Sequence, residues 1–217
     1  MRKLLVLLFV LLALPLYARA TLLIDTGTPD EYVGSWILGT MFDGYSQNLA
    51  QRFELNQSWI VDGLCGYFDP FCCEGGTATI ALYGDVLGQD PLGNPGTVPG
   101  TGREYYHGRV AIGETKDWYG ITGVKTVLDP GAYWIAYEIR SGDTFYGGMP
   151  DMAPYPLPGG AWTNQGVWVH NLNSVDPLDL GVRVDAQPVP EPASFCLLGG
   201  GLLGVLGFAK RRSFLRK

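Results

Sequence analysis

Cationic side chains are scarce in the interior of this 217-residue chain. Between Thr21 and Ala186 stand seven Lys or Arg against twenty Asp or Glu, a formal balance of −13, although the whole chain carries only −6. So acidic a segment is repelled by a phosphate backbone, which excludes nucleic acid as a partner, and charge alone would not hold it on an anionic membrane surface. Histidine is rarer still: His107 and His170 are the whole supply, and their separation matches no zinc-ligand spacing. Also missing are a glycine-rich nucleotide loop between strand and helix, a nucleophile elbow, and any interior run with a long helical period and matching caps. The long apolar runs are confined to the two ends, and so is the remaining basic charge.

At the amino end, Arg2 and Lys3 precede an apolar run from Leu4 to Leu16 broken only by Pro15, and Ala18-Arg19-Ala20 then supplies small residues at the two positions a signal peptidase must accommodate. The run is short for a membrane span and suits a signal core. Residues 1–20 are therefore expected to be a signal peptide cleaved after Ala20, with an uncleaved anchor or a buried helix as the alternatives.

At the carboxyl end, residues 187–192 form a proline-rich tether, since three prolines in five positions from Pro188 to Pro192 remove amide donors and forbid regular helix. Residues 193–209 carry no charge and are expected to form a single transmembrane helix, about 25 Å long against a hydrocarbon core of about 30 Å. Lys210 and Arg211 can snorkel to cover the shortfall, and the basic tail 210–217 belongs on the cytoplasmic side, leaving the body outside. A Gly200–Gly204 spacing could support close helix pairing, the plainer reading being a marginal segment built for removal.

Val189-Pro190-Glu191-Pro192, the apolar segment from Phe195 to Phe208, and Lys210-Arg211-Arg212 together resemble the PEP-CTERM sorting signal of bacterial exported proteins. The resemblance implies that an exosortase, an integral membrane processing enzyme, recognises Pro190, Glu191 and Pro192, while the span and the basic cluster position the chain in the membrane. It also implies a setting of extracellular polysaccharide production in a Gram-negative bacterium. Cys196 within the span receives no role.

The remaining 21–186 reads as strands and turns. Short stretches rich in β-branched and aromatic residues run from Asn48 to Leu55, Trp59 to Leu64, Thr77 to Tyr83, Tyr105 to Ile112, Val124 to Leu128, Tyr133 to Ile139, Val167 to His170 and Leu180 to Val184. Asp129-Pro130-Gly131 marks a turn that should join Val124–Leu128 and Tyr133–Ile139 as a hairpin. In the return strand Tyr133, Ile135, Tyr137 and Ile139 share one face, with Trp134, Ala136 and Glu138 on the other. Gly84 to Gly102 and Gly147 to Gly160 are expected to be irregular connections. The fold class expected is all-β, a two-layer antiparallel β-sandwich of jelly-roll type. Ala81-Leu82-Tyr83-Gly84-Asp85, Asn94-Pro95-Gly96-Thr97 and Gly131 to Ala136 are also similar to segments of β-sandwich ectodomains that carry this sorting signal.

In an export compartment disulfides persist, so Cys65 is expected to bridge Cys72 or Cys73, with intermolecular pairing and metal binding as alternatives; Cys72 and Cys73, being adjacent, are poorly placed to bridge each other. The sequon Asn56-Gln57-Ser58 reads in a bacterial host as an ordinary polar pair. No catalytic residue and no cofactor is assigned, although calcium stays open through Asp25, Asp30, Asp85 and Asp90. Expected partners are signal peptidase, an exosortase-like enzyme, the membrane during sorting and, through the flat faces of Trp118, Trp134, Trp162 and Trp168, extracellular polysaccharide. These readings describe a non-enzymatic exported protein that passes through the inner membrane to the cell surface or extracellular matrix. The rivals are a carbohydrate-binding module without a matrix role and a glycan-acting hydrolase, for which Glu104, Glu114, Asp117, Asp143 and Asp151 are the carboxylates on offer.

Overall fold

The computed structural model describes residues 20–30, 34–40, 44–71, 75–85, 88–89, 95–96, 98–99, 102–171 and 178–189. The chain divides into Ala20–Gln187 and a second unit, Met1–Arg19 with Pro188–Lys217. The fold is that of the first. The expected signal peptide, the transmembrane helix 193–209 and the basic tail lie outside the described residues, among which no helix is long and apolar enough to cross a membrane.

Every described element is a strand: β1 (Thr21–Asp25), β2 (Ser35–Thr40), β3 (Ser46–Gln47), β4 (Leu49–Leu55), β5 (Trp59–Phe68), β6 (Gly76–Gly84), β7 (Gly88–Gln89), β8 (Pro95–Gly96), β9 (Glu104–Ile112), β10 (Asp117–Leu128), β11 (Gly131–Glu138), β12 (Gly147–Pro150), β13 (Gly159–Asn164), β14 (Val167–Asn171) and β15 (Val182–Pro188). They build a six-stranded sheet, β14-β13-β4-β11-β6-β9, a four-stranded sheet, β1-β15-β5-β10, a three-stranded sheet, β12-β2-β3, and the small β7-β8 pair. The protein is all-β with antiparallel pairing.

The four- and six-stranded sheets fill one core. Leu64, Phe68, Val124, Leu128, Val182 and Val184 from the former meet Phe53, Ile80, Leu82, Val110, Ile135 and Tyr137 from the latter. Phe68 is its aromatic centre, edge-on to Tyr137 at 5.5 Å and to Phe145 at 5.7 Å. Tyr137 donates its hydroxyl to the Cys65 carbonyl at 2.8 Å, so the one polar atom that the ring buries has a partner.

The expected alternation along β11 holds. Tyr133, Ile135 and Tyr137 enter this core, while Trp134 and Ala136 join a second apolar cluster on the opposite face. The expected hairpin does not form: β10 pairs with β5 and β11 with β4 and β6, so the turn at Asp129-Pro130 carries the chain from one sheet to the other. Leu128 and Tyr133 on either side of the corner both enter the core, and the Tyr133 hydroxyl donates back to the Asp129 carbonyl at 2.8 Å. Burying both apolar residues against opposite sheets is favoured over a flat hairpin that would leave one exposed. The span 147–160 is likewise more ordered than its composition suggests, since β12 within it is buried against β2. The tight hairpin is β13–β14, turned by Gln165 and Gly166, both at positive φ (50° and 79°), as a twist-matched two-residue turn requires.

Gly66 on β5 marks where the core is tightest. A Cβ there would lie 2.5 Å from Tyr137 Cε1 and 2.9 Å from Met149 Cε and Phe68 Cε2. Gly66→Ala is expected to destabilise the fold by about 1–3 kcal/mol through overpacking, read as a lowered urea midpoint at unchanged m-value.

Candidate functional site

The chemistry-bearing residues converge on the outer face of the six-stranded sheet. Its register sets Ala161, Ala50, Ala136 and Ala81 side by side across β13, β4, β11 and β6, and continues the row to His170 on β14 and His107 on β9. Four methyl side chains in a row leave a shallow trough, in which the Trp134 indole lies edge-on to His170 at 6.1 Å. Five strand spacings separate the two histidines, about 24 Å, so they cannot share a metal ion.

On one side of the row Trp134 Nε1–H donates to Asp85 Oδ1 at 3.1 Å, and Asp85 Oδ2 accepts from Arg52 Nε at 2.7 Å. Arg52 also reaches Glu54 at 2.7 Å. Although burial opposes its charge, the bonds to Asp85 and Glu54 prevail and raise the pKa of the guanidinium.

Towards β9 lies the densest ionic cluster. Arg140 donates from Nε to Glu138 Oε2 and from Nη2 to Glu104 Oε2, both at 2.6 Å, and from Nη2 to the Tyr83 hydroxyl at 2.7 Å. Tyr83 donates to Glu138 Oε1 at 2.9 Å, and His107 Nδ1 lies 2.5 Å from Glu104 Oε1. Burial, with the neighbouring Glu138 charge, raises the Tyr83 phenol far above its ordinary value. Burial would also raise Glu104, but its hydrogen bonds from Arg140 and His107 prevail and hold the carboxyl below its usual range. A general acid for glycoside hydrolysis needs the opposite shift.

A different carboxylate pair closes the loop after β12. Buried Asp151 accepts from Trp36 Nε1 at 2.9 Å and from the backbone N–H of Met152 at 2.9 Å and of Asp179 at 2.6 Å. Burial first, and then the Asp151 charge, raises Asp179.

The seven cations among the described residues are all engaged. Besides Arg52 and Arg140, Arg109 pairs with Asp143, Lys116 with Asp69, Lys125 with Asp62 and Arg183 with Asp25, while Arg103 sits 4.9 Å over the Tyr105 ring.

The four tryptophans do not form a common surface. Trp134 is fully buried, which removes it from any contact with polysaccharide: its alternation on β11 points it outward, but the alanine row lets its indole sink onto the sheet. Trp118 has Arg183 stacked 3.8 Å over its ring and Tyr67 tilted against it at 5.4 Å. Trp162 packs near Trp36 at 6.4 Å, and Trp168 is half-buried against the alanine cluster.

Cys65 is a free, half-buried thiol on β5, so the expected bridge from it is not formed. Its sulfur leans over Gly120 on the neighbouring β10, where a Cβ would lie 2.2 Å away; burial and then the Asp185 charge raise its pKa. Cys72 and Cys73 lie outside the described residues, as does Asp90. Asp85 and Asp25 serve the ion pairs above, and among the described residues no group of three or more His, Cys, Asp or Glu side chains could hold a metal ion. Asp143 is committed to Arg109, Thr79 and the Arg140 amide, and Glu114 and Asp117 are exposed.

Glu138, Arg140 and Tyr83 were not singled out by sequence reasoning. The available signal was the alternation of β11, which puts a carboxylate beside Trp134 and Ala136 on an otherwise apolar face, with an arginine two residues on.

Val189 is the last described residue; Pro190, Glu191, Pro192, Lys210, Arg211 and Arg212 lie outside. Residues 188–212 match the PEP-CTERM protein-sorting motif. That match indicates an exported protein with a membrane-anchored sorting signal, consistent with an exosortase substrate. No curated protein matches it.

Two substitutions test the electrostatics. Because Glu104 sits below its ordinary value of about 4.3, its stabilisation is complete above that pH and is lost as pH falls through the lower folded value. Glu104→Gln should therefore lower the denaturation midpoint at pH 7 and lose that effect in acid. Asp179 is raised above about 3.9, so its ionised form costs stability at neutral pH. Asp179→Asn should raise the midpoint at pH 7 and change nothing at a pH below that ordinary value.

Proposed function

We propose that this chain is a non-enzymatic protein of the cell surface or extracellular polysaccharide matrix, exported by its signal peptide and sorted, with cleavage, through its carboxyl end. The sorting motif at residues 188–212 carries the reading. The delivered part is residues 21–186, a two-layer sandwich of jelly-roll type; residues 187–192 are the tether that presents Pro190, Glu191 and Pro192 to the processing enzyme. Residues 193–209 then span the inner membrane, with the basic tail 210–217 in the cytoplasm. A structural role is supported by how the polar groups are spent: Glu104 and Glu138 clamp one arginine.

One observation favours the rival hydrolase. Asp179, whose carboxyl is raised by burial and then by the neighbouring Asp151 charge, is shifted in the direction that a general acid requires. If that reading is right, Asp179→Asn abolishes glycan hydrolysis by the purified protein; if the structural role is right, no hydrolysis exists to lose.

Intact-mass analysis of surface material from cells with and without the matching sorting enzyme tests the main reading. The expected mature chain begins at Thr21 and lacks most of the hydrophobic tail only when the enzyme is present. An unchanged carboxyl terminus in processing-competent cells would sink it.

A further inference from the structure

The exposed face of the three-stranded sheet carries two aromatic rings seated on glycine. Tyr146, just before β12, leans over Gly39 of β2, where a Cβ would lie 2.6 Å from its Cδ2. The ring tip of Phe71 reaches Gly148 of β12, where a Cβ would lie 2.6 Å from Cζ. Ile37, paired opposite Gly148, stands on the same face of the sheet. Phe71 stays 43% exposed and Tyr146 41%, although Trp118 and Trp134, the aromatics first suspected, have their faces covered. The missing side chains at Gly39 and Gly148 are what let the rings lie low against the backbone. A polar rim borders them: Ser35 donates to Asp69 Oδ2 at 3.3 Å, and Lys116 pairs with the same oxygen at 2.8 Å.

We propose that this face is a binding platform for an uncharged polysaccharide strand, with pyranose C–H faces stacking on Phe71 and Tyr146 and sugar hydroxyls meeting the Ser35–Asp69–Lys116 rim. Charge selects the class. Lys116 is already neutralised by Asp69, and the body around the platform has a formal balance of −13, so a polyanion is disfavoured. Size selects against a folded protein partner: two half-exposed rings and one isoleucine fall far short of the roughly 800 Å² per side of a stable protein interface. An extended chain of sugar rings needs only such a narrow apolar strip with polar edges.

This proposal rests on the exported, surface-located reading, and its test is separable from it. The processed protein recovered from cells is run in native gels containing dextran, hydroxyethyl cellulose, galactomannan or alginate. The expected result is retardation in at least one of the three neutral gels and none in alginate. Phe71→Ala with Tyr146→Ala should abolish it, Phe71→Tyr and Tyr146→Phe should keep it, and Tyr155→Ala, an exposed aromatic elsewhere, should leave it unchanged. No retardation in any neutral gel, or equal retardation of the double variant, overturns the platform while leaving export and sorting intact. A concentration-dependent dimer in sedimentation that the double variant loses would also overturn it, assigning the face to a second copy of the chain. Failure of export itself is read independently from the mass of the surface material.

Discussion

Strand β11 is buried on both faces, and the two faces are satisfied in different ways. Towards the shared core it presents Tyr133, Ile135 and Tyr137, large side chains that interlock with Phe53, Phe68 and Leu82. Towards the outside Trp134 is paired with alanines on its own strand and on three neighbours. A central strand with large residues on both sides would need a thick cover over each. The alanine row instead leaves room for the Trp134 indole, which is itself fully covered and is pinned at its nitrogen by Asp85, which Arg52 in turn holds. The outer face thus behaves as a thin second core with an ionic border, rather than as an open ligand surface.

The same economy of space recurs wherever a ring crosses a strand. Gly66 admits Tyr137, Gly120 admits the Cys65 sulfur, and Gly39 and Gly148 admit Tyr146 and Phe71. In the first two cases the accommodated group is buried or half-buried, and the glycine serves stability. In the last two the ring keeps substantial exposure, and the glycines shape a surface. What separates the cases is position: Gly66 faces the shared core, while Gly39 and Gly148 lie on the outer side of a small sheet whose inner side, through Leu38 and Met149, joins that core.

Electrostatics follows from scarcity. With seven cations among twenty carboxylates, each cation is drawn to an acid or to an aromatic ring. Arg140 makes the most of this, bridging Glu104, Glu138 and Tyr83 from three different strands. Such a network ties β6, β9 and β11 together at one edge of the sheet. It also holds the Glu104 carboxyl below its usual range.

The all-β class, the strands from Asn48 to Leu55 and Thr77 to Tyr83, the two faces of Tyr133–Ile139 and the sorting signal at 188–212 were legible in the linear chain, because each is written in local periodicity or in contiguous composition. β1, β2, β12 and β13 were not: they are short or glycine-rich, and pairing rather than propensity makes them strands. Nor could local pattern say that β10 and β11 part company at Pro130, since a turn signal states that the chain reverses but not which sheet receives it. The same limit governs the tryptophans and the carboxylates. Period-two alternation determines the face on which a side chain stands. Whether that face holds an alanine trough, an arginine clamp or a glycine seat depends on residues brought alongside from far away in sequence, and only the tertiary structure decides it.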